Sequence, residues 1–207
     1  MIKPKSNKLI HGFFSWYISK IISKDFYSFN YNKPSFSNDK SILLLANHFS
    51  WWDGFLLFHL NKIYFKKHFH VMVLQDTAEK VKFLKYLGAF SIQRNAKSLI
   101  ESLDYAGKLL DNPDNLVLIF PQGELNSSHV SNINFEKGLN KIIASSKKQF
   151  QYLFAAVLID YFDQRKPSVN VFLENWEAQE YTSLQVIKNA FNRHYENSLL
   201  KQSSKKV

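Results

Sequence analysis

The chain has 207 residues, with 27 Lys and Arg against 17 Asp and Glu, seven His and no Cys. At ~150 residues per domain this is closer to one domain than two, and long enough to bury a core without a disulfide or structural metal. The lack of Cys excludes disulfides, thiolate zinc sites, iron–sulfur clusters and cysteine nucleophiles; 45% apolar content with six Gly and five Pro excludes a disordered or collagen-like chain.

The formal charge of +10 calls for an anionic partner: nucleic acid, a membrane surface or a charged substrate. It is not evenly spread. Lys3, Lys5 and Lys8 open the chain with no acid among the first ten residues, and Lys201, Lys205 and Lys206 close it in the same way. The ends are read either as solvated tails or as docking charge. The first tail runs into Leu9, Ile10, Phe13, Phe14, Trp16, Tyr17, Ile18, Ile21 and Ile22. This amphipathic segment suits a helix in a membrane interface, or one packed on the core. It is too short and too interrupted (His11, Ser15, Ser19, Lys20) to span a bilayer, and no small-residue cleavage site follows it.

Residues 27–40, with Pro34 among Ser, Asn and Asp, read as a loop that ends an N-terminal unit of residues 1–40. Residues 41–46 are an unbroken apolar run of buried-strand length, and a helix is predicted over 53–60 with Asp53 at or near its N-cap. A strand over 71–74, a short helix over 77–87, a strand over 90–92 and a helix over 97–110 follow. Residues 116–120 form the next strand, stopped by Pro121. A helix over 136–148, strands over 153–159 and 169–173, and a helix over 183–201 complete the pattern. Strands without polar alternation, separated by helices, predict one α/β domain over 41–207 with a mixed, largely parallel sheet.

Three strand ends carry unusual chemistry: Asn47-His48-Phe49-Ser50-Trp51-Trp52-Asp53-Gly54, Gly88-Ala89-Phe90-Ser91-Ile92-Gln93-Arg94 and Phe120-Pro121-Gln122-Gly123-Glu124-Leu125-Asn126. Sites in open α/β sheets form at such carboxyl ends. Half of the scarce glycines (Gly54, Gly88, Gly123) fall in these segments. His48 and Asp53 are ~140° apart on a regular helix, so they meet only if His48 precedes the helix and Asp53 lies in its first turn. Asp53 would then orient one imidazole nitrogen and leave the other as a base. Taken alone, the pair also fits a helix cap beside a satisfied buried histidine.

The pair does not stand alone. His48-x4-Asp53 after an apolar strand, Gly88…Ile92-x-Arg94 and Phe120-Pro121-x-Gly123, in that order, resemble the blocks of the glycerolipid and lysophospholipid acyltransferases. That superfamily includes the bacterial 1-acylglycerol-3-phosphate acyltransferases. Ala155–Ile159 is similar to a weaker fourth block. The resemblance implies O-acyl transfer from an acyl thioester, with acyl-CoA or acyl carrier protein as co-substrate and no other cofactor. By it, His48 is the base, Asp53 its orienter, and Asn47, Gly88, Arg94, Pro121, Gln122, Gly123 and Glu124 are substrate-binding positions. The family's third block, F-P-E-G-T-R-S, grips a glycerol phosphate. Here Gln122 replaces its Glu, Glu124 its Thr and Leu125 its Arg. Losing a guanidinium and gaining a carboxylate both oppose a phosphate. The expected acceptor is a lipid-like hydroxyl compound without that phosphate, the alternatives being the ordinary 1-acylglycerol-3-phosphate reaction or a non-catalytic lipid-binding protein.

Trp51 and Trp52 are expected to line an acyl channel or membrane lip, or to pack in the core. His68 and His70 share a strand face but lack a third ligand of suitable spacing, so no metal site is expected. Lys62, Lys66, Lys67, Lys80, Lys82 and Lys85 form either a solvated face or one for head groups or an acidic carrier. No nucleic-acid recognition motif is present, so the charge is expected to serve a peripheral protein on the anionic cytoplasmic face of the cell membrane.

Overall fold

The structure, a computed structural model, describes residues 1–93, 96–179 and 182–205. Seven strands form one sheet, and the elements in chain order are α1 (Lys8–Asp25), β1 (Ser28–Tyr31), β2 (Ser41–Ala46), α2 (Asp53–Leu60), β3 (His68–Leu74), α3 (Gln75–Lys80), β4 (Ala89–Ile92), α4 (Ala96–Leu109), β5 (Asn115–Ile119), α5 (Gly138–Ala144), β6 (Phe150–Asp160), β7 (Ser168–Trp176) and α6 (Leu184–Ser203). The sheet order is β1-β7-β6-β2-β5-β3-β4. β6, β2, β5, β3 and β4 are mutually parallel, β7 returns antiparallel to β6, and β1 runs parallel to β7 at the edge.

All six residues of β2 and all five of β5 are buried, because helices cover both faces. Ile42, Leu44 and Ala46 pack with Ile18 and Ile22 of α1 and the apolar side of α2. Leu43 and Leu45 face the other way, onto Leu103 and Ala106 of α4, Ile142 of α5 and Phe191 and Tyr195 of α6. This alternation is why an apolar run without polar punctuation marks a central strand. α6 is tied to β7 by His194, whose ring nitrogens lie 2.8 Å from Glu174 Oε2 and 3.0 Å from the Phe172 carbonyl.

Several expectations change. Residues 28–31, expected as loop, are the edge strand β1; Ser-Phe-Asn-Tyr is too short and polar to announce itself, and only pairing with β7 makes it a strand. The helix expected over 77–87 breaks at Val81 into α3 and a 3₁₀ helix, Lys82–Leu87. The helix expected over 136–148 is only α5. α1 combines the two readings of the first segment. Its Ser15, Ile18 and Ile22 are buried, while Leu9, Phe13, Trp16 and Tyr17 are exposed. Among the described residues no helix is long and apolar enough to cross a membrane.

The sheet forks where the site lies. β3 pairs with β5 only as far as Val71 opposite Leu118, yet stays paired with β4 to Leu74 opposite Ile92. The carboxyl end of β3 thus parts from β5 and opens a gap between them.

Gly88 ends the 3₁₀ helix at φ +91°, and a Cβ there would stand 1.7 Å from the Phe69 carbonyl oxygen in the backbone of β3. Gly88→Ala therefore combines a strained backbone with a clash that only movement of β3 relieves. A loss of roughly 3 kcal/mol or more is expected, read as a large drop in thermal midpoint or as insoluble protein.

Candidate active site

β2 is followed by Asn47, whose side chain is fully buried and makes two bonds to one residue of β6. Its Nδ2 donates to the Val157 carbonyl at 2.9 Å and its Oδ1 accepts from the Val157 amide at 2.7 Å. Asn47 thus fixes where the chain leaves the sheet. The turn over 48–52 then wraps around the carboxylate of Asp53, which is 1% exposed. Asp53 Oδ2 accepts from the Phe49 amide at 2.7 Å and the Ser50 amide at 2.8 Å, and lies 3.0 Å from His48 Nδ1. Asp53 therefore opens α2 but ties the preceding turn rather than capping the helix's own amides. A carboxylate only accepts, so Nδ1 carries the proton facing it, and in the neutral ring Nε2 is the nitrogen with the lone pair. Nε2 has no protein partner among the described residues, and His48 lines the cavity described below. The imidazole stacks on Phe120, ring centroids 4.1 Å apart.

The turn after β5 locks onto this one. The His48 amide donates to Gln122 Oε1 at 2.6 Å, Gln122 Nε2 donates to Asn126 Oδ1 at 2.7 Å, and the Asn126 amide donates to the His48 carbonyl at 3.0 Å. Both ends of the buried Gln122 amide are thus engaged inside the protein. Asn47 and Gln122, both expected among the substrate-binding positions, hold the scaffold of the site, and Gln122 also lines the cavity described below, which Asn47 does not. Gly88 is a structural turn and does not line the cavity.

The fork between β3 and β5 opens into a cavity of about 760 Å³ with His48 in its wall. On one face of the sheet it is lined by Phe55, Phe58 and Phe69, and on the other by Leu99, Leu103 and Ile142. Met72–Leu74 and Ile119–Phe120 form the two sides of the gap. Apolar walls with a few polar groups at one end suit a ligand with a long hydrocarbon part. Trp51, Pro121, Gln122, Gly123 and Glu124 line the cavity. Trp51 is 62% exposed at its rim, while Trp52 packs inward against Phe26, ring centroids 5.0 Å apart. Arg94 lies outside the described residues, as does Lys206.

The apolar lining and one charged lining residue, Glu136, escaped the sequence reading. Glu136 joins Glu124 in the wall, and its amide donates to the Pro121 carbonyl at 2.8 Å. Its Cγ would stand 3.0 Å from a Cβ at position 123, so Gly123, at φ +70°, is what lets Glu136 approach the turn. A lone Glu before a predicted helix carries no signal of this; only folding brings it beside the motif.

The remaining candidates scatter. His70 Nε2 lies 3.3 Å from Asn115 Oδ1 and its ring is held below its ordinary pKa, mainly by burial. No group of three or more His, Asp or Glu among the described residues could hold a metal. Lys62 Nζ bonds Ser19 Oγ, and Lys67 Nζ bonds the Asn38 and Pro113 carbonyls. The six lysines expected on one face are therefore split among local tethers and open surface.

The Acyltransferase family model matches residues 29–159, well over half of the chain and all three motif turns. This chain belongs to the acyltransferase family. Among solved structures it is similar to the 1-acyl-sn-glycerophosphate (LPA) acyltransferase PlsC from Thermotoga maritima, at 13% identity and a TM-score of 0.61, covering 97% of this chain and 82% of that one. That likeness is one of fold: a mixed, mostly parallel sheet flanked by helices behind an N-terminal helix. No curated protein sequence matches the chain significantly. The acyltransferase thus carries the expected α/β fold, with the His48 and Phe120 turns meeting at the carboxyl ends of β2 and β5; the Gly88 turn, expected at such an end, instead lies at the amino end of β4.

Gln122→Leu in this acyltransferase keeps the side-chain bulk but leaves the His48 amide without an acceptor. A fall in turnover of at least about tenfold is expected. Gln122→Glu, which still offers an oxygen to that amide, should recover most of it. Equal loss in both variants would show that Gln122 does not act through His48.

Proposed function

We propose that this lipid acyltransferase moves a fatty acyl group from an acyl thioester to a hydroxyl of a lipid-like acceptor. The observation that carries the reading is a His48–Asp53 pair, with Nε2 unpartnered, in the wall of a long apolar cavity. The acceptor hydroxyl gives its proton to His48 Nε2 as its oxygen attacks the thioester carbonyl. Asp53 holds the tautomer and stabilises the imidazolium. The carbonyl oxygen becomes an oxyanion, then re-forms the double bond as the C–S bond breaks. The proton passes from His48 to the departing thiolate, so the ester and a free thiol are the products. The amides of Gly54 and Glu124 are in cavity-lining residues and have no acceptor among the described residues, which makes them the candidate donors to that oxyanion.

The acceptor reading rests on charge. Leu125 stands where the resembling enzymes carry an Arg, and Glu124 and Glu136 place two carboxylates in the cavity wall. Carboxylates repel a phosphate and suit an amine or sugar hydroxyl, so a lyso-aminolipid, glycolipid or hydroxylated pigment or polyketide fits the site better than a phosphate-bearing lysolipid. The second reading is 1-acylglycerol-3-phosphate acylation, favoured by the structural likeness to a protein of that description.

Incubating the protein with a labelled acyl thioester and total bacterial lipid should yield a labelled lipid ester. His48→Ala should reduce its formation by about 10³-fold or more, and Asp53→Asn by about 10²-fold or more. Equal labelling by His48→Ala removes the base mechanism. Preferential labelling of lysophosphatidate over non-phosphorylated lysolipids replaces the acceptor reading with the second one.

Where the acceptor is a lipid, the enzyme works at a membrane surface, and α1 supplies the contact. Leu9, Phe13, Trp16 and Tyr17 form its exposed face, with Lys20 Nζ 5.0 Å from the Trp16 ring. Aromatic and basic side chains together suit an anionic interface on the cytoplasmic side. Deleting α1 would also remove Ile18 and Ile22 from the core, so the cleaner variant is Phe13→Ser/Trp16→Ser. It should lose sedimentation with phosphatidylglycerol vesicles while keeping its thermal midpoint, and the wild type should dissociate at high salt. Unchanged binding by the variant would remove α1 from the contact.

A further inference from the structure

The cavity beside His48 does not follow one face of the sheet. Phe58, Phe69 and Leu84 belong to the apolar layer under α1 and α2, Leu99, Leu103 and Ile142 to the layer on the opposite face, and all six line it. A closed sheet would keep these layers apart. Here they communicate, because β3 and β5 part beyond Val71 and Leu118. Met72 and Val73 point to opposite faces of β3, and both line the gap. The cavity therefore has two apolar lobes, one on each face, that meet at the fork. His48 stands at that junction, its ring stacked on Phe120 at the side of the gap.

Each lobe is walled by a helix that begins at the polar end. α2 starts at Asp53, the partner of His48, and sends Phe55 and Phe58 into the first lobe. On the other face the Leu139 amide donates to the Glu136 carbonyl at 3.4 Å, which leads the chain into α5. Glu136, Leu139 and Ile142, three residues apart, all line the cavity. Neither Glu136 nor Glu124 has a cation within ion-pair distance among the described residues. A carboxylate at the mouth followed by apolar side chains along one side of a helix matches an amphiphile, polar at its head and hydrocarbon along its tail.

We propose that the lobe walled by α4 and α5 holds a long hydrocarbon chain of the acceptor itself, while the chain being transferred lies in the lobe under α2. This rests on the acyl-transfer reading above and adds to it that the acceptor is a one-chain amphiphile, with its head group at Glu124 and Glu136. The acceptor hydroxyl and the thioester carbonyl then reach His48 from opposite faces of the sheet. The product has one chain on each face, joined through the gap by the new ester. Strands paired along their whole length would trap such a product. The fork, open toward the carboxyl end of β3, lets both chains leave together.

The first measurement needs no turnover: a calorimetric titration of the full chain with myristate, kept below its micellar concentration, as a one-chain probe. Wild type should bind two equivalents. Leu84→Trp fills the lobe under α2 and Leu99→Trp the other; both positions are half-buried, so neither substitution overfills a closed core. Each variant should keep one equivalent and bind the other about tenfold or more weakly, with its thermal midpoint unchanged. The second measurement is the chain composition of ester formed from mixed acyl thioesters and mixed non-phosphorylated lysolipids. Leu84→Trp should shorten the transferred chain by about two carbons, and Leu99→Trp should shorten the acceptor chain by about as much. A single equivalent in wild type, myristate binding that neither variant changes, both variants shifting the same chain, or the two shifts exchanged overturns the proposal. Two equivalents divided between the variants, with no ester from any donor, keep the two chain sites and remove the acyl-transfer reading. Ester formation by a protein that binds one equivalent keeps that reading and removes this one.

Discussion

A buried carboxylate organises this end of the molecule. Asp53 is almost wholly removed from water, and a charge so placed is tolerated only where hydrogen bonds replace its hydration. Two backbone amides and one imidazole nitrogen do so, all on the same oxygen. Meeting that demand forces the chain over 48–52 into a tight turn, starts α2 at Asp53, and sets which nitrogen of His48 carries a proton. The orientation of the His48 ring thus follows from satisfying one charge, and removing it would leave the turn without the group it is built around.

That turn would still swing freely if nothing held it from the sheet side. Asn47 anchors its start to β6, and the ring of bonds through Gln122 and Asn126 clamps it to the turn after β5. The two turns belong to neighbouring parallel strands, so their carboxyl ends meet at the edge of the fork. The fork supplies what the polar cluster cannot: a path between β3 and β5 into apolar space on both faces of the sheet. The His48–Asp53 pair sits where polar turns end and hydrocarbon-lined space begins.

The N-terminal segment illustrates how one stretch serves several surfaces. Ile18 and Ile22 complete the core under α1, and Phe14 stacks on Phe83 with ring centroids 4.1 Å apart. The opposite side of α1 exposes its aromatics, and the residues before it strap the edge of β4. Composition could place apolar and basic character here, but an amphipathic pattern alone does not say which stripe a helix buries.

Much of the fold was legible in the residues. Ile42–Ala46 and Leu116–Ile119 have no polar positions to expose, so they had to be central strands with helices on both sides. The spacing of Leu99, Leu103, Ala106 and Leu110 had to be a helix. The ordered turns at His48, Gly88 and Phe120 were enough to indicate an acyltransferase. What the sequence could not carry was everything that depends on distant segments meeting. β1 is a strand only because β7 lies beside it. Gln122 is a strut only because His48 presents an amide to it. Glu136 is a wall of the site only because Gly123 lets it approach. The opening charge of +10 is the plainest case: a count implies an anionic partner, but only folding lays Lys3 and Lys5 along the edge of β4, with the Lys5 amide on the Lys85 carbonyl, because charge acts through distance and distance is set by the tertiary structure.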